Sequence, residues 1–172
     1  MKKVLFIVAN VGFQDHEFSV PYEAVKNAGY EVEIASGWGG KCRGVFMKLI
    51  GDSKKIIEVD PTGYDLLIFV GGGGAYDQYY LDPDYLHLAK SAKAVAAICI
   101  APSLLSDAGI YQKRQVTGWD DGFGTQVVYL QKNGATFVDQ PVVRDVNLIT
   151  ANGPEAAEEF AQEILRVLAE VD

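Results

Sequence analysis

Short apolar runs rich in Val, Ile and Leu alternate along this chain with segments of helical period, the pattern of a parallel sheet covered by helices on both faces. The runs cover residues 3–9, 31–35, 65–70, 94–98 and 147–150. Between them, residues 18–28 read as a helix stopped at Gly29, 84–92 as a second, and 101–108 as a third ended by Gly109. Residues 121–133 read as a fourth, closed by Gly134, and 154–170 as a long C-terminal helix opened by Asn152, Gly153 and Pro154. The stretch 42–61, with β-like runs around Gly51, predicts a small antiparallel excursion. No internal repeat or linker interrupts this order, so residues 1–172 read as one α/β domain.

A doubly wound sheet binds ligands outside the carboxyl ends of its strands. That rule selects three loops: residues 10–17 after the first strand, the glycine run 71–74, and the turn at Cys99. Cys99 lies in AAICIAP (96–102), with a β run ending at Ile98 and a helix opening almost at once. The small neighbours Ala97 and Ala101 relieve crowding at such an elbow, and a helix N-terminus favours a thiolate, which predicts a lowered thiol pKa. A buried cysteine packing as a small hydrophobe would occupy the same position, and placement alone leaves both readings open.

The run Gly71–Gly74 fits neither nucleotide-loop template, because Tyr76 breaks G-x-G-x-x-G and no G-K-[ST] follows. Its economical role is close backbone approach, with the N–H of Gly72 aimed at an oxyanion beside Cys99; a plain flexible turn is the alternative. Glu17 and Asp15 lie in the first loop, where a carboxyl group reaches the same cleft only if the loop folds inward. His16 is adjacent to Glu17, and His87 falls on a helix surface.

Composition narrows the classes of function. With 172 residues, 49% of them hydrophobic, the chain can build a core. A net charge of −8 opposes a nucleic-acid partner, since phosphate binding needs clustered Lys and Arg, and the pairs Lys2-Lys3 and Lys54-Lys55 are too short. No stretch has the length of a membrane span, and the apolar run after the N-terminus is shorter than a signal core. Cys42 and Cys99 read as free thiols in a cytoplasmic setting, with Cys42 near an edge or contact surface. His16 and His87 share no metal-ligand spacing with them, so no metal is expected.

Four segments together give a specific resemblance. AAICIAP, the glycine turn after DLLIFV, the early Asp15-His16-Glu17 and GATFVDQPVVRDVNLITANGP resemble the ThiJ/PfpI superfamily, also called DJ-one, from Lys2 through the C-terminal helix. The resemblance implies a flavodoxin-like three-layer sandwich, a homodimer, and Cys99 on a strained nucleophile elbow. It also implies that Glu17 hydrogen-bonds the sulfur as a protonated acid, with the N–H groups of Gly72 and Ile100 as oxyanion site. The departures matter equally. Where the peptidase-like branch has a histidine after the cysteine and an acid in the glycine turn, this chain has Ile100 and Tyr76. Trp119 stands where other members carry a histidine. The glutamine amidotransferases need a late histidine and glutamate, whereas NGPE offers Asn152 and Glu155, and no histidine follows His87.

Peptidase and glutaminase chemistry are therefore not expected. What the resemblance implies instead is a small reactive-carbonyl substrate and a slow glyoxalase- or deglycase-like activity through Cys99 and Glu17, with no cofactor. His16, Tyr76 and Trp119 are the candidate pocket residues. The alternative is a non-catalytic oxidative-stress sensor, or a chaperone-like protein, acting through oxidation of Cys99.

Overall fold

The computed structural model describes residues 1–170. Strand β1 (Lys3–Ile7) leads through a short strand, β2 (Val11–Phe13), into helix α1 (Asp15–Asn27). Strand β3 (Glu31–Ser36) follows, then the small strands β4 (Cys42–Gly44), β5 (Leu49–Ile50) and β6 (Lys54–Lys55). Strand β7 (Leu66–Phe69) runs into α2 (Gly73–Tyr79) and α3 (Pro83–Ser91), and β8 (Val95–Ile98) into α4 (Ala101–Leu104). The chain continues through β9 (Gln115–Val116), α5 (Thr125–Lys132), β10 (Thr136–Phe137), β11 (Val142–Asp145), β12 (Leu148–Ala151) and α6 (Ala157–Glu170).

Seven strands form the main sheet in the order β11-β12-β8-β7-β1-β3-β6, with every neighbouring pair parallel except β11 and β12. Strand geometry sends successive side chains to opposite faces, and the apolar runs serve both. On β1, Val4 and Phe6 face Phe18 and Val25 of α1 and Phe160, Ile164 and Leu168 of α6. Leu5 and Ile7 face the other core, with Tyr79, Tyr85, Leu88, Leu104 and Leu130 from α2 to α5. Next to β1, all four residues of β7 are apolar and buried, as a central strand covered on both faces requires.

Strands β1, β3, β7, β8 and β12 lie where the hydrophobic pattern puts them, within one or two residues at each end; β11 lies outside that pattern, and β6, in the stretch expected as an antiparallel excursion, joins the main sheet parallel to β3. The helix starts differ more. Helix α1 begins three residues before the expected 18, because the Gln14 side chain accepts from the N–H groups of His16 and Glu17 and caps it. The loop expected at 10–17 is therefore β2 plus the first turn of α1. The expected helix 101–108 is a four-residue α4 followed by a 3₁₀ turn, Ser106–Ala108, ended by Gly109. The glycine run opens helix α2 instead of a flexible turn. Cys42, expected near an edge or contact surface, is buried on β4 between β2 and β5, beside the hydroxyl of Ser53 at 3.4 Å. Both cysteines are free.

Two contacts shape the crevice at the strand ends. The buried Tyr79 hydroxyl lies 3.0 Å from the Ile7 carbonyl and 2.9 Å from that of Val70, tying the ends of β1 and β7 together. Helix α2 also passes so close to β2 that a Cβ at Gly74 would sit 1.8 Å from the Val11 carbonyl oxygen. Gly74→Ala should therefore lower the free energy of unfolding by at least about 2 kcal/mol in urea denaturation, the cost of forcing backbone apart at a packed contact. Gly73→Ala, where no described atom lies within 4 Å of the added carbon, is the control and should cost little. Equal stability of the two variants would contradict the close approach.

Candidate active site

Three chain segments meet where β1, β7 and β8 end. From β8 the backbone turns through Cys99, which has φ +63°, into α4. An L-residue in the left-handed region is uncommon and costs energy, so the turn needs restraint. It is restrained on both sides: the Cys99 N–H donates to the Ala151 carbonyl at 2.9 Å, and the Trp119 N–H donates to the Cys99 carbonyl at 2.8 Å. The segment carrying Trp119 is itself pinned to β12, since the Thr117 N–H donates to the Thr150 hydroxyl at 2.8 Å.

From the first segment comes Glu17. It sits in the first turn of α1 with its side chain fully buried, one carboxyl oxygen, Oε2, accepting from the Gly71 N–H at 3.0 Å. Oε1 has no hydrogen-bond partner among the described residues. The glycine run brings the second segment in. A Cβ at Gly71 would lie 2.6 Å from Glu17 Oε2 and 2.8 Å from Cys99 Cβ, so only glycine lets the carboxyl group and the cysteine share this space. The N–H groups of Gly72 and Ile100 lie beside Cys99, where they favour its thiolate.

Burial dominates the electrostatics. It raises the Glu17 pKa from an ordinary 4.5 to about 7, against the opposing contacts with the Cys99 thiol and the Gly71 N–H. Burial also pushes the Cys99 thiol up, and the facing Glu17 carboxylate adds to the rise; the Ile100 and Gly72 N–H groups pull the other way. The lowered thiol pKa expected from the helix N-terminus is thus corrected. Helix α4 has only four residues and supplies little dipole, and a second negative charge next to Glu17 is costly. The two groups titrate as a pair that gives up one proton near neutrality and holds the other.

The sulfur opens to a pocket of about 420 Å³ lined by Gly72, Gly73, Tyr76, Ile100, Trp119 and Gln126. Of the residues singled out in the sequence, Cys99, Gly72, Ile100, Tyr76 and Trp119 meet at this pocket, while Glu17 lies buried beside Cys99, off the pocket wall. His16 is not among them. It lies exposed on the first turn of α1, outside the pocket, and His87 is exposed on α3. Gln126 was not foreseen, because nothing in the sequence marks which face of α5 turns toward the elbow. Among the described residues no group of three or more His, Cys, Asp or Glu is placed to hold a metal ion, and no helix is long and apolar enough to cross a membrane.

Comparison with known proteins gives a consistent picture. A model of the DJ-1/PfpI family matches residues 2–167. An uncharacterized protein of Methanocaldococcus jannaschii is 32% identical over 170 residues, covering 96% of this chain and 82% of that protein. The protein/nucleic acid deglycase 2 of Escherichia coli is 30% identical, covering 98% of this chain and 99% of that one. Among solved structures, a ThiJ/PfpI domain protein from Brachyspira murdochii superposes with a TM-score of 0.91 at 26% identity, over 99% of this chain and 98% of its own.

The raised carboxyl pKa has a consequence for stability. A carboxyl group that is harder to ionise in the fold than in the unfolded chain contributes fully below its unfolded pKa, and that contribution is lost as the pH rises through the folded value. Native stability should therefore fall between pH 4.5 and about 7, by up to about 3 kcal/mol, relative to Glu17→Gln, which cannot ionise. Denaturant unfolding of both proteins across this window measures it. Parallel stability curves would contradict a buried carboxyl that titrates near neutrality.

Proposed function

Because this chain belongs to the DJ-1/PfpI family, we propose that Cys99 attacks the aldehyde carbon of 2-oxoaldehydes, and of the adducts these form with amines, in a glyoxalase- or deglycase-like reaction. One observation carries the reading: a thiol on a restrained elbow opens to a pocket, with a buried carboxyl group of pKa about 7 and two N–H groups beside it. The sulfur forms a bond to the aldehyde carbon, the carbonyl π bond opens, and the oxygen receives the thiol proton by way of Glu17. The N–H groups of Gly72 and Ile100 stabilise the developing oxyanion. On an aminocarbinol adduct the amine takes the proton and leaves as the sulfur arrives, giving the same hemithioacetal.

Glu17 then takes the hydrogen of the former aldehyde carbon as a proton and returns one to the neighbouring carbonyl carbon, while the hydroxyl proton of the hemithioacetal passes to the neighbouring oxygen. The product of this internal transfer is a thioester bearing a new hydroxyl group, and water cleaves it to a 2-hydroxy acid and the free thiol. No oxidant, metal or organic cofactor enters the balance. Ile100 beside the nucleophile carries no proton, which disfavours peptide cleavage, where the leaving amine needs an acid. A second reading is favoured by the unpartnered Oε1 of Glu17: Cys99 oxidised to the sulfinic acid and held by that carboxyl group, as a sensor.

General acid–base groups typically contribute about 10²- to 10⁴-fold, and no imidazole lines the pocket among the described residues, so turnover should be slow. The protein should convert methylglyoxal to lactate at a low rate that Cys99→Ala reduces to background and Glu17→Gln lowers by about 10²-fold or more. Turnover that survives Cys99→Ala would overturn the proposal. Absence of turnover, with mild peroxide converting Cys99 selectively to the sulfinic acid by mass spectrometry, would put the sensor in its place.

A further inference from the structure

The Cys99 pocket does not end at its own rim. Tyr76 and Gln126 also line a second cavity of about 420 Å³, whose walls include Tyr80, Phe123 and Tyr129 and whose floor includes Ser103. Tyr76 and Tyr80 stack with ring centroids 5.1 Å apart and planes within 10°, one turn apart at α2, forming a flat aromatic wall. These rings are open to water: Tyr76 is 49% exposed, Tyr80 42% and Phe123 92%. An exposed apolar patch of this kind, rather than scattered single residues, marks a surface built to be covered.

Phe123 is not at the tip of a free loop. The Asp121 carboxylate accepts from the Phe123 N–H at 2.8 Å, and the Asp120 carboxylate accepts from the Gly124 N–H at 3.0 Å, fixing the turn that carries the ring. At the floor, Ser103 is 1% exposed and its hydroxyl has no hydrogen-bond partner among the described residues. A buried hydroxyl left unpaired is costly, and this one lies beneath a groove whose aromatic rings are joined by Leu104, Val128 and Lys132. Among the described residues no acidic or basic side chain lines the Cys99 pocket, and the groove beyond it carries a single one, Lys132.

We propose that this groove is an aryl subsite and that the preferred substrates at Cys99 are 2-oxoaldehydes bearing an aromatic group, with the dicarbonyl at the sulfur and the ring beyond Tyr76 and Gln126. The proposal rests on the aldehyde reading of Cys99 for the reaction, and on the groove alone for the choice of substrate. A methyl group leaves the second cavity wet, whereas an aromatic ring covers Tyr76, Tyr80 and Phe123 in the offset or edge contacts such rings prefer.

The test needs no turnover. Cys99 is alkylated with iodoacetamide and with N-phenyliodoacetamide, which share a reacting group and differ by a phenyl ring, and each rate is divided by that for glutathione at the same pH. Peptide mass spectrometry restricts the reading to Cys99. The phenyl reagent should be favoured by about tenfold or more over its advantage toward glutathione, and the combined Tyr80→Ala, Phe123→Ala variant should lose that preference. The iodoacetamide rate of the same variant reports whether the thiol itself has moved. A ratio equal to that of glutathione overturns the subsite, including the case in which a second copy of the chain covers the groove in solution. So does a preference that survives the double variant. A preserved preference without aldehyde turnover would retain the groove and remove the reaction; Cys99-dependent turnover without the preference would do the reverse.

Discussion

The left-handed backbone at Cys99 is the constraint on which the rest of the site depends. A non-glycine residue pays of order 1–3 kcal/mol to hold such a conformation, and here the neighbouring strand and the Trp119 segment hold it through the Cys99 N–H and carbonyl. Restraint at this one residue sets the sulfur between the two N–H groups of Gly72 and Ile100 and the buried face of Glu17. In an ordinary strand-to-helix connection the side chain would follow one face of the sheet into a core. At Cys99 it packs against both cores and still opens to a pocket.

Burying an acid beside an acid then decides the chemistry. Neither group can ionise cheaply, because each is desolvated and a second charge would repel the first. The result is a carboxyl group that gives up its proton near neutrality beside a thiol that keeps its own. The same burial that sets the pKa values of the pair makes it a liability for stability as the pH rises toward 7.

Much of the scaffold is legible in the sequence for a simple reason. Parallel strands buried on both faces, such as 4–8 and 66–70, must be apolar throughout and cannot be mistaken for half-exposed ones. Helix ends are less legible: the Gln14 cap lies outside the usual Ser, Thr, Asp and Asn set, and the start of α5 is hidden behind carboxylate-capped turns at Asp120 and Asp121. Cys99 stands out by its placement before a new helix, but the sign of its pKa shift does not, because sequence shows neither how short α4 is nor that Glu17 is turned inward. Loop position marks Glu17 and Asp15 alike, and only the family resemblance assigns Glu17 to the sulfur. The groove beyond Tyr76 was out of reach, since its walls come from α2, the α4 turn and the 120–129 segment, joined only by the fold.

The protonation of Glu17 tests the account most directly. Infrared difference spectra between the native protein and Glu17→Gln isolate the carbonyl stretch of the protonated carboxyl group, which can be followed with pH. The band should persist through mildly acidic pH and vanish with a midpoint near 7, and that midpoint should rise in Cys99→Ala, where the thiol contact that favours the carboxylate is gone. A midpoint in the ordinary carboxyl range, or one indifferent to the loss of Cys99, would contradict a coupled pair of acids at the centre of this site.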